Sequence, residues 1–116
     1  MADFNHLRSA KYIDLVTFRK TGAGVHTPVW FGYDDGKLYV MTRPDSGKMK
    51  RIRNNPLVRI AASTIRGKVI GPEVGGVARL ARDPQKARRS VRDKYWLARV
   101  PFLWSKDNIY LEIEPS

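Results

Sequence analysis

Residues 11–42 read KYIDLVTFRKTGAGVHTPVWFGYDDGKLYVMT, and this stretch decides the fold class. Its first segment, 11–20, is rich in β-branched and aromatic residues and ends at a glycine-containing turn. Segment 25–33 alternates with a period of two, which is typical of a strand. Asp-Asp-Gly at 34–36 predicts a hairpin turn into a third strand at 37–42. The stretch therefore predicts a meander of three antiparallel strands.

The rest of the chain predicts two helices and three more strands. A short helix is expected within 43–56, because Asp45 or Ser46 can cap it and Asn55-Pro56 ends it. A second helix is expected to begin after the cap Asp83 and to end before Pro101. Six mostly antiparallel strands with two helices indicate a mainly β fold, a small barrel. Side chains fill the interior of a barrel of this size, so a ligand is expected in a groove on its outside. The further segments are strands at 57–65, 77–81 and 108–114 and a glycine-rich loop at 67–76.

Composition narrows the class of protein. A chain of 116 residues fits a single domain, 1–116, and 22 Lys and Arg against 11 Asp and Glu give a net charge of +11. This charge favours anionic partners such as nucleic acid, phosphate-bearing cofactors or acidic lipids.

The chain has no cysteine and two histidines, so disulfides and thiolate zinc sites are excluded and no metal site is expected. No apolar run approaches the roughly 20 residues of a membrane span, and the first residues lack a signal-peptide layout, so a cytoplasmic location without a membrane span is expected.

The most informative basic stretch is 42–53, with five cations between positions 43 and 53. Cations at a helix start face the positive end of the helix dipole, which favours an anion docking there. The Ser46 hydroxyl, backbone N–H groups and Lys48 would converge on a phosphate, and Gly47 would let the backbone come close. The alternative is a solvated basic helix face.

A second candidate site is the segment Thr-Pro-Val-Trp at 27–30. A strand interrupted by proline has free backbone groups beside a large aromatic side chain, and such an edge can contact a flat heterocycle. The alternative is that Trp30 simply covers the core. His26 adjoins this edge, but a lone histidine is more often a surface residue than a catalyst.

Four motifs in order resemble a known superfamily. They are T-F-R-K-x-G-x-x-V-x-T-P-V-W-F at 17–31, L-Y-V-x-T at 38–42, S-G-K-x-x-R-I-R-N-N-P at 46–56 and G-x-A-R-L at 76–80. This pattern resembles the pyridoxamine-phosphate-oxidase-like oxidoreductases, which have an FMN-binding split β-barrel, and within them the branch expected to use the deazaflavin coenzyme F-420. The resemblance covers 11–81 well and the last third of the chain loosely.

The resemblance implies a homodimer with a cofactor in each of two interface grooves. Residues 27–30 would line the ring system, and Arg66 and Gly67 would approach from the other subunit. The C-terminal aromatic residues would form the substrate side, although helix and core packing is the simpler interpretation for them. The implied cofactor-binding residues are Thr27, Pro28, Val29, Trp30, Thr42, Ser46, Gly47, Lys48, Arg51, Arg66 and Gly67, and the aromatic residues are Tyr95, Trp96, Phe102 and Trp104.

Charge favours the longer cofactor. FMN carries one phosphate, whereas coenzyme F-420 carries a phosphodiester, a carboxylate and an oligoglutamate tail, which better suits cations clustered at 43–53 and 79–99. The expected activity is hydride transfer from the reduced deazaflavin to an electron-poor small molecule, such as an activated double bond or a quinone. No side chain is assigned as an acid, and the substrate is not identified. The alternatives are an FMN-dependent oxidase or reductase on the same fold, a non-catalytic cofactor carrier, and, as an unlikely partner class, a basic nucleic-acid-binding domain.

Overall fold

The computed structural model describes residues 3–94 and 108–116, which form one curled, antiparallel sheet with two helices packed on it. The mainly β fold class with two helices is therefore confirmed. A short 3-10 turn, Asn5–Leu7, precedes the first strand. The strands are β1 Tyr12–Phe18, β2 Gly24–Val29, β3 Gly32–Asp34, β4 Lys37–Thr42, β5 Leu57–Ser63, β6 Val74–Leu80 and β7 Ile109–Pro115, and the helices are α1 Gly47–Asn54 and α2 Pro84–Lys94.

The strand order is β2-β1-β5-β6-β7-β4-β3, and every neighbouring pair is antiparallel. The prediction of a three-stranded meander is wrong, because segment 25–33 forms two strands that lie at opposite edges of the sheet. The chain breaks between them where Phe31 inserts into the core with no exposed surface. Gly32 follows beneath α2, where a Cβ atom would lie 2.6 Å from the backbone carbonyl carbon of Ser90. Only glycine allows the start of β3 to pass so close to the helix.

The glycine-rich loop predicted at 67–76 is also partly wrong. Strand β6 begins at Val74, which pairs with Ile60 of β5, and Gly75 and Gly76 continue the ladder. A Cβ atom on Gly76 would lie 2.9 Å from Cγ2 of Ile113 on β7. Glycine here permits close packing of the sheet rather than a turn.

Several local predictions are confirmed. Asp35 and Gly36 have positive φ angles of 54° and 77°, as a two-residue hairpin turn between β3 and β4 requires. The Ser46 hydroxyl caps α1 by accepting a hydrogen bond from the Met49 backbone N–H at 3.1 Å. Likewise, the Asp83 carboxylate accepts one from the Lys86 N–H at 3.1 Å, at the start of α2.

The concave side of the curled sheet holds the main core. Helix α1 contributes Met49 and Ile52, on one face as the sequence predicts. Helix α2 packs Ala87 and Val91 against Tyr39 and Tyr110 in a second cluster. Buried residues of the main core include Phe4, Leu7, Ile13, Leu15, Phe31, Leu38, Val40, Val58, Ile60, Leu111 and Ile113.

Two predictions concern positions outside the described residues. They are the end of the second helix before Pro101 and the roles of the aromatic residues Tyr95, Trp96, Phe102 and Trp104. Within residues 3–94 and 108–116, no helix is long and apolar enough to cross a membrane. The same part of the chain holds no group of three or more acidic, His or Cys side chains that could bind a metal ion.

Candidate anion and cofactor site

The N-terminus of α1 gathers hydroxyl groups and backbone N–H groups at the end of β4. The hydroxyl oxygens of Thr42, the last residue of β4, and of Ser46 lie 3.0 Å apart. Thr42 is buried and Ser46 half-buried. The capping hydrogen bond from the Met49 N–H fixes the Ser46 hydroxyl at the N-terminal end of the helix. The remaining first-turn N–H groups have no partner within the helix, so they point at any ligand placed there.

Arg51 folds back over this helix start. Its Nε–H donates a hydrogen bond to the buried Thr17 hydroxyl of β1 at 2.6 Å. Its Nη1 lies 2.9 Å from the place that a Cβ atom on Gly47 would occupy. The missing side chain at Gly47 therefore leaves room for the guanidinium above the first turn of α1.

Lys48 adds a second cation to the same turn. Burial lowers the pKa of the Lys48 ammonium, and the neighbouring Arg51 guanidinium lowers it further. Among the described residues, no carboxylate forms an ion pair with Lys48 or Arg51. Thr17, the printed partner of Arg51, is neutral. Two cations at the positive end of a helix, with no acidic partner, form a site whose electrostatics favour an anion.

Among the described strands, β2 lies at an edge of the sheet, so one side of its backbone has no strand partner there and can contact a ligand. Thr27 and Val29 alternate with exposed residues and face the core side, where Leu15 and Ile13 are their partners on β1. This face also carries α1. Thr17, which binds Arg51 of α1, lies two residues after Leu15 and therefore points to the same side of β1. Thr27 thus shares a face with the α1 cations, and the half-buried Trp30 follows at the end of β2.

Pro28 faces the opposite side of β2. A Cβ atom on Gly67 would lie 3.9 Å from Cγ of Pro28, and Gly67 has a φ of +87°. The exposed Arg66 precedes it in the β5–β6 loop. Pro28 and Gly67 are thus neighbours within one chain, and the approach of Arg66 and Gly67 from a second subunit stays a prediction.

The predicted residues therefore form two groups. Thr42, Ser46, Gly47, Lys48 and Arg51 meet at the N-terminus of α1, with Thr27 on the same face of the sheet. The second group, Pro28 with the 66–67 turn, lies across β2 from the first.

Sequence reasoning missed two contacts. Thr17, which orients Arg51, is an ordinary strand residue in the sequence, and it is separated from Arg51 by 34 positions. His26 is not isolated, because its Nδ1 lies 2.7 Å from Oδ2 of the buried Asp14. Within the part of the chain that the structure describes, Oδ1 of Asp14 has no hydrogen-bond partner. The Asp14–His26 pair lies on the Pro28 side of the sheet, away from the α1 cations.

An open cleft of about 370 Å³ lies at the other end of α1. It adjoins the turn between β1 and β2, and none of the predicted site residues lines it. Its lining residues are Phe18, Arg19, Lys20, Gly22, Asn54 and Asn55.

Comparison with known proteins gives the fold a name. No protein-family model matches the sequence, and no curated protein matches it. Among solved structures, a candidate pyridoxamine 5′-phosphate oxidase from Listeria innocua is similar at 18% identity, with 95% of this chain and 87% of that chain covered and a TM-score of 0.71. The heme storage protein from Vibrio cholerae is similar at 12% identity, with coverage of 97% and 87% and a TM-score of 0.71. An F-420 reductase is similar at 21% identity, with coverage of 100% and 94% and a TM-score of 0.68. At these identities the likeness shows the fold alone: the chain has the split-barrel fold of pyridoxamine-phosphate-oxidase-like proteins.

Proposed function

We propose that this protein is an oxidoreductase that transfers a hydride from the reduced deazaflavin coenzyme F-420 to an electron-poor small molecule. The observation that carries the proposal is the pair of cations, Lys48 and Arg51, over the N-terminus of α1 without an acidic partner among the described residues. A fold shared with a candidate pyridoxamine 5′-phosphate oxidase and with an F-420 reductase supports the same class of ligand.

The residues at α1 fit a phosphate. The Ser46 and Thr42 hydroxyls can each donate or accept a hydrogen bond, and Lys48 and Arg51 supply positive charge. A bound anion offsets the repulsion between the two cations. A phosphate should therefore bind this site more tightly than it binds isolated surface lysines. These residues hold the phosphodiester in our proposal.

The edge of β2 is proposed to hold the ring. Thr27 lies on the α1 side of this strand, and Val29 packs against the main core. A backbone edge held rigid by the core can position a flat ring without rearrangement. Trp30 and Pro28 complete the proposed ring contacts, and Arg66 and Gly67 are proposed to approach from a second subunit. When bound, the deazaflavin supplies the hydride, while the protein orients the ring and keeps water from it.

FMN is the second candidate cofactor. Its single phosphate fits the α1 site by the same hydroxyls and cations, and a candidate pyridoxamine 5′-phosphate oxidase shares the fold. Coenzyme F-420 is favoured because the basic surface extends beyond the α1 start. Among the described residues, Arg19, Lys20 and Arg53 also form no ion pair. One phosphate leaves these charges unused.

A homodimer is proposed as the working assembly. The β5–β6 loop exposes three large apolar side chains, Ile65, Val69 and Ile70, with exposed fractions of 66%, 47% and 61%. Leu57 at the start of β5 is 54% exposed. Exposed apolar residues close together mark an interaction surface more often than free solvent-facing surface. The loop also carries Arg66 and Gly67, so a second copy docked on it would border the Pro28 side of β2.

The proposed activity is tested with reduced coenzyme F-420 and the quinone menadione as acceptor. The oxidised coenzyme should accumulate, as followed by its absorbance, in proportion to enzyme concentration. Reduced FMN at equal concentration is the matched control. If the protein accelerates only the FMN reaction, the FMN-dependent function replaces the proposed one. If it binds neither cofactor, both are wrong.

A further inference from the structure

We propose that the cleft between the β1–β2 turn and the end of α1 is a second anion subsite, which binds carboxylates of the ligand whose phosphate sits at the N-terminus of α1. This inference rests on the proposed function and adds a site that none of the predicted residues includes. The cleft measures about 370 Å³, which falls within the usual volume of ligand pockets.

The lining of the cleft suits carboxylates. Arg19 and Lys20 contribute two cations, and Asn54 and Asn55 contribute side-chain amides. No described carboxylate is paired with either cation. Phe18 adds an apolar wall. Cations from the β1–β2 turn and amide N–H donors from the end of α1 match a flexible anionic chain better than a compact apolar ligand, and the two cations compensate the negative end of the α1 dipole.

The backbone fixes the shape of this cleft. The Arg19 N–H donates to the Ala23 carbonyl at 2.9 Å, and the Gly22 N–H donates to the Arg19 carbonyl at 2.8 Å, so the turn is closed by its own hydrogen bonds. On the opposite wall, the Asn55 N–H donates to the Arg51 carbonyl at 2.8 Å and ends α1. Both walls are therefore held in place before any ligand binds.

The cleft and the anion site lie at opposite ends of α1. Thr17, which binds Arg51, is followed two positions later by Arg19, so β1 leads from one group of cations to the other. Gly47 and Asn54 are the ends of α1, and seven residues of α-helix span about 10 Å. A ligand that uses both sites must carry anionic groups about this far apart. FMN has one phosphate and cannot reach the second site, whereas an oligoglutamate tail attached beyond a phosphodiester can.

The decisive experiment compares two forms of oxidised coenzyme F-420, one with its oligoglutamate tail and one without glutamates, by fluorescence titration at low salt. The double substitution R19Q/K20Q removes the cations of the cleft. The double substitution K68Q/R82Q removes the same charge from exposed positions outside the cleft and is the control. Melting temperatures of all three proteins check that each variant is folded.

For the wild type we expect the tailed form to bind more tightly than the tailless form. R19Q/K20Q should weaken binding of the tailed form by about 3–30-fold, as two exposed charge contacts allow, and should leave the tailless form unchanged. Added salt should remove the difference, because exposed charges are screened. K68Q/R82Q should affect both forms little.

Three results would overturn the inference alone. Equal affinity of the wild type for the two forms would show that the cleft does not take the tail. Equal weakening of both forms by R19Q/K20Q, or the same loss in K68Q/R82Q, would show a diffuse electrostatic effect. In each of these cases the proposed function survives, because the coenzyme still binds. Absence of binding of either form by the wild type would overturn the proposed function together with this site.

Discussion

Replacing Lys48 by methionine tests the anion site most specifically, because it removes the charge and keeps most of the aliphatic stem. A charge-assisted hydrogen bond to a phosphate contributes about 1.5–3 kcal/mol. Lys48→Met should therefore raise the dissociation constant of the coenzyme by about 10–150-fold. A fluorescence titration of the coenzyme into each protein measures this change directly.

The same substitution should not destabilise the protein without coenzyme. Burial and Arg51 hold the pKa of Lys48 below its ordinary value of 10.5, so the unfolded chain binds this proton more tightly than the folded one. Folding therefore carries a cost while Lys48 is protonated, and stability rises as the pH rises from the folded pKa to the unfolded pKa. Free of coenzyme, Lys48→Met should melt at or above the wild-type temperature at neutral pH. The difference should shrink as the pH approaches 10.5.

The control is Lys50→Met, an exposed lysine on the same helix with the same charge. It should leave coenzyme affinity within about twofold, since exposed charge pairs contribute little. If Lys50→Met and Lys48→Met weaken binding equally, the protein offers a basic surface and not a phosphate site. A clear loss of melting temperature in coenzyme-free Lys48→Met would show instead that Lys48 supports the fold.

Two further predictions concern the Arg51 contact and the assembly. Thr17→Val removes the hydrogen bond that orients Arg51 but keeps the side-chain shape, and it should weaken coenzyme binding by about 3–10-fold. Unchanged affinity in the same fluorescence titration would show that Thr17 does not position Arg51. Light scattering should give about twice the chain mass of 13.3 kDa for the wild type, and an Ile65→Asp/Ile70→Asp variant should shift toward the monomer. A wild-type monomer that binds coenzyme stoichiometrically would contradict the proposed assembly.

Local sequence signals predicted local structure well. The caps at Ser46 and Asp83 and the positive-φ turn at Asp35-Gly36 depend on the chemistry of a few consecutive residues, and all three are present. The buried face of α1 follows from the spacing of Met49 and Ile52 in the same way.

Relations between distant segments could not be read from local patterns. The chain passes from one sheet edge to the other between Val29 and Gly32, where Phe31 enters the core, and the run of strand-forming residues hides this break. The contact of Thr17 with Arg51 depends on how α1 packs on β1, which the spacing of either segment alone does not specify. The predicted α1 residues do meet, because Ser46, Gly47 and Lys48 are consecutive at one helix end and the Arg51 side chain reaches back to Gly47. Strand β4 places Thr42 beside them.

The central claim is that the α1 site binds the phosphate of a deazaflavin cofactor in preference to FMN. A competition titration at physiological salt, in which the protein is saturated with FMN and coenzyme F-420 is then added, tests it most directly. Displacement of FMN by substoichiometric to equimolar coenzyme is the predicted result, and Lys48→Met should weaken the binding of both cofactors. Retention of FMN against excess coenzyme, or binding of both cofactors that Lys48→Met leaves intact, would contradict the claim.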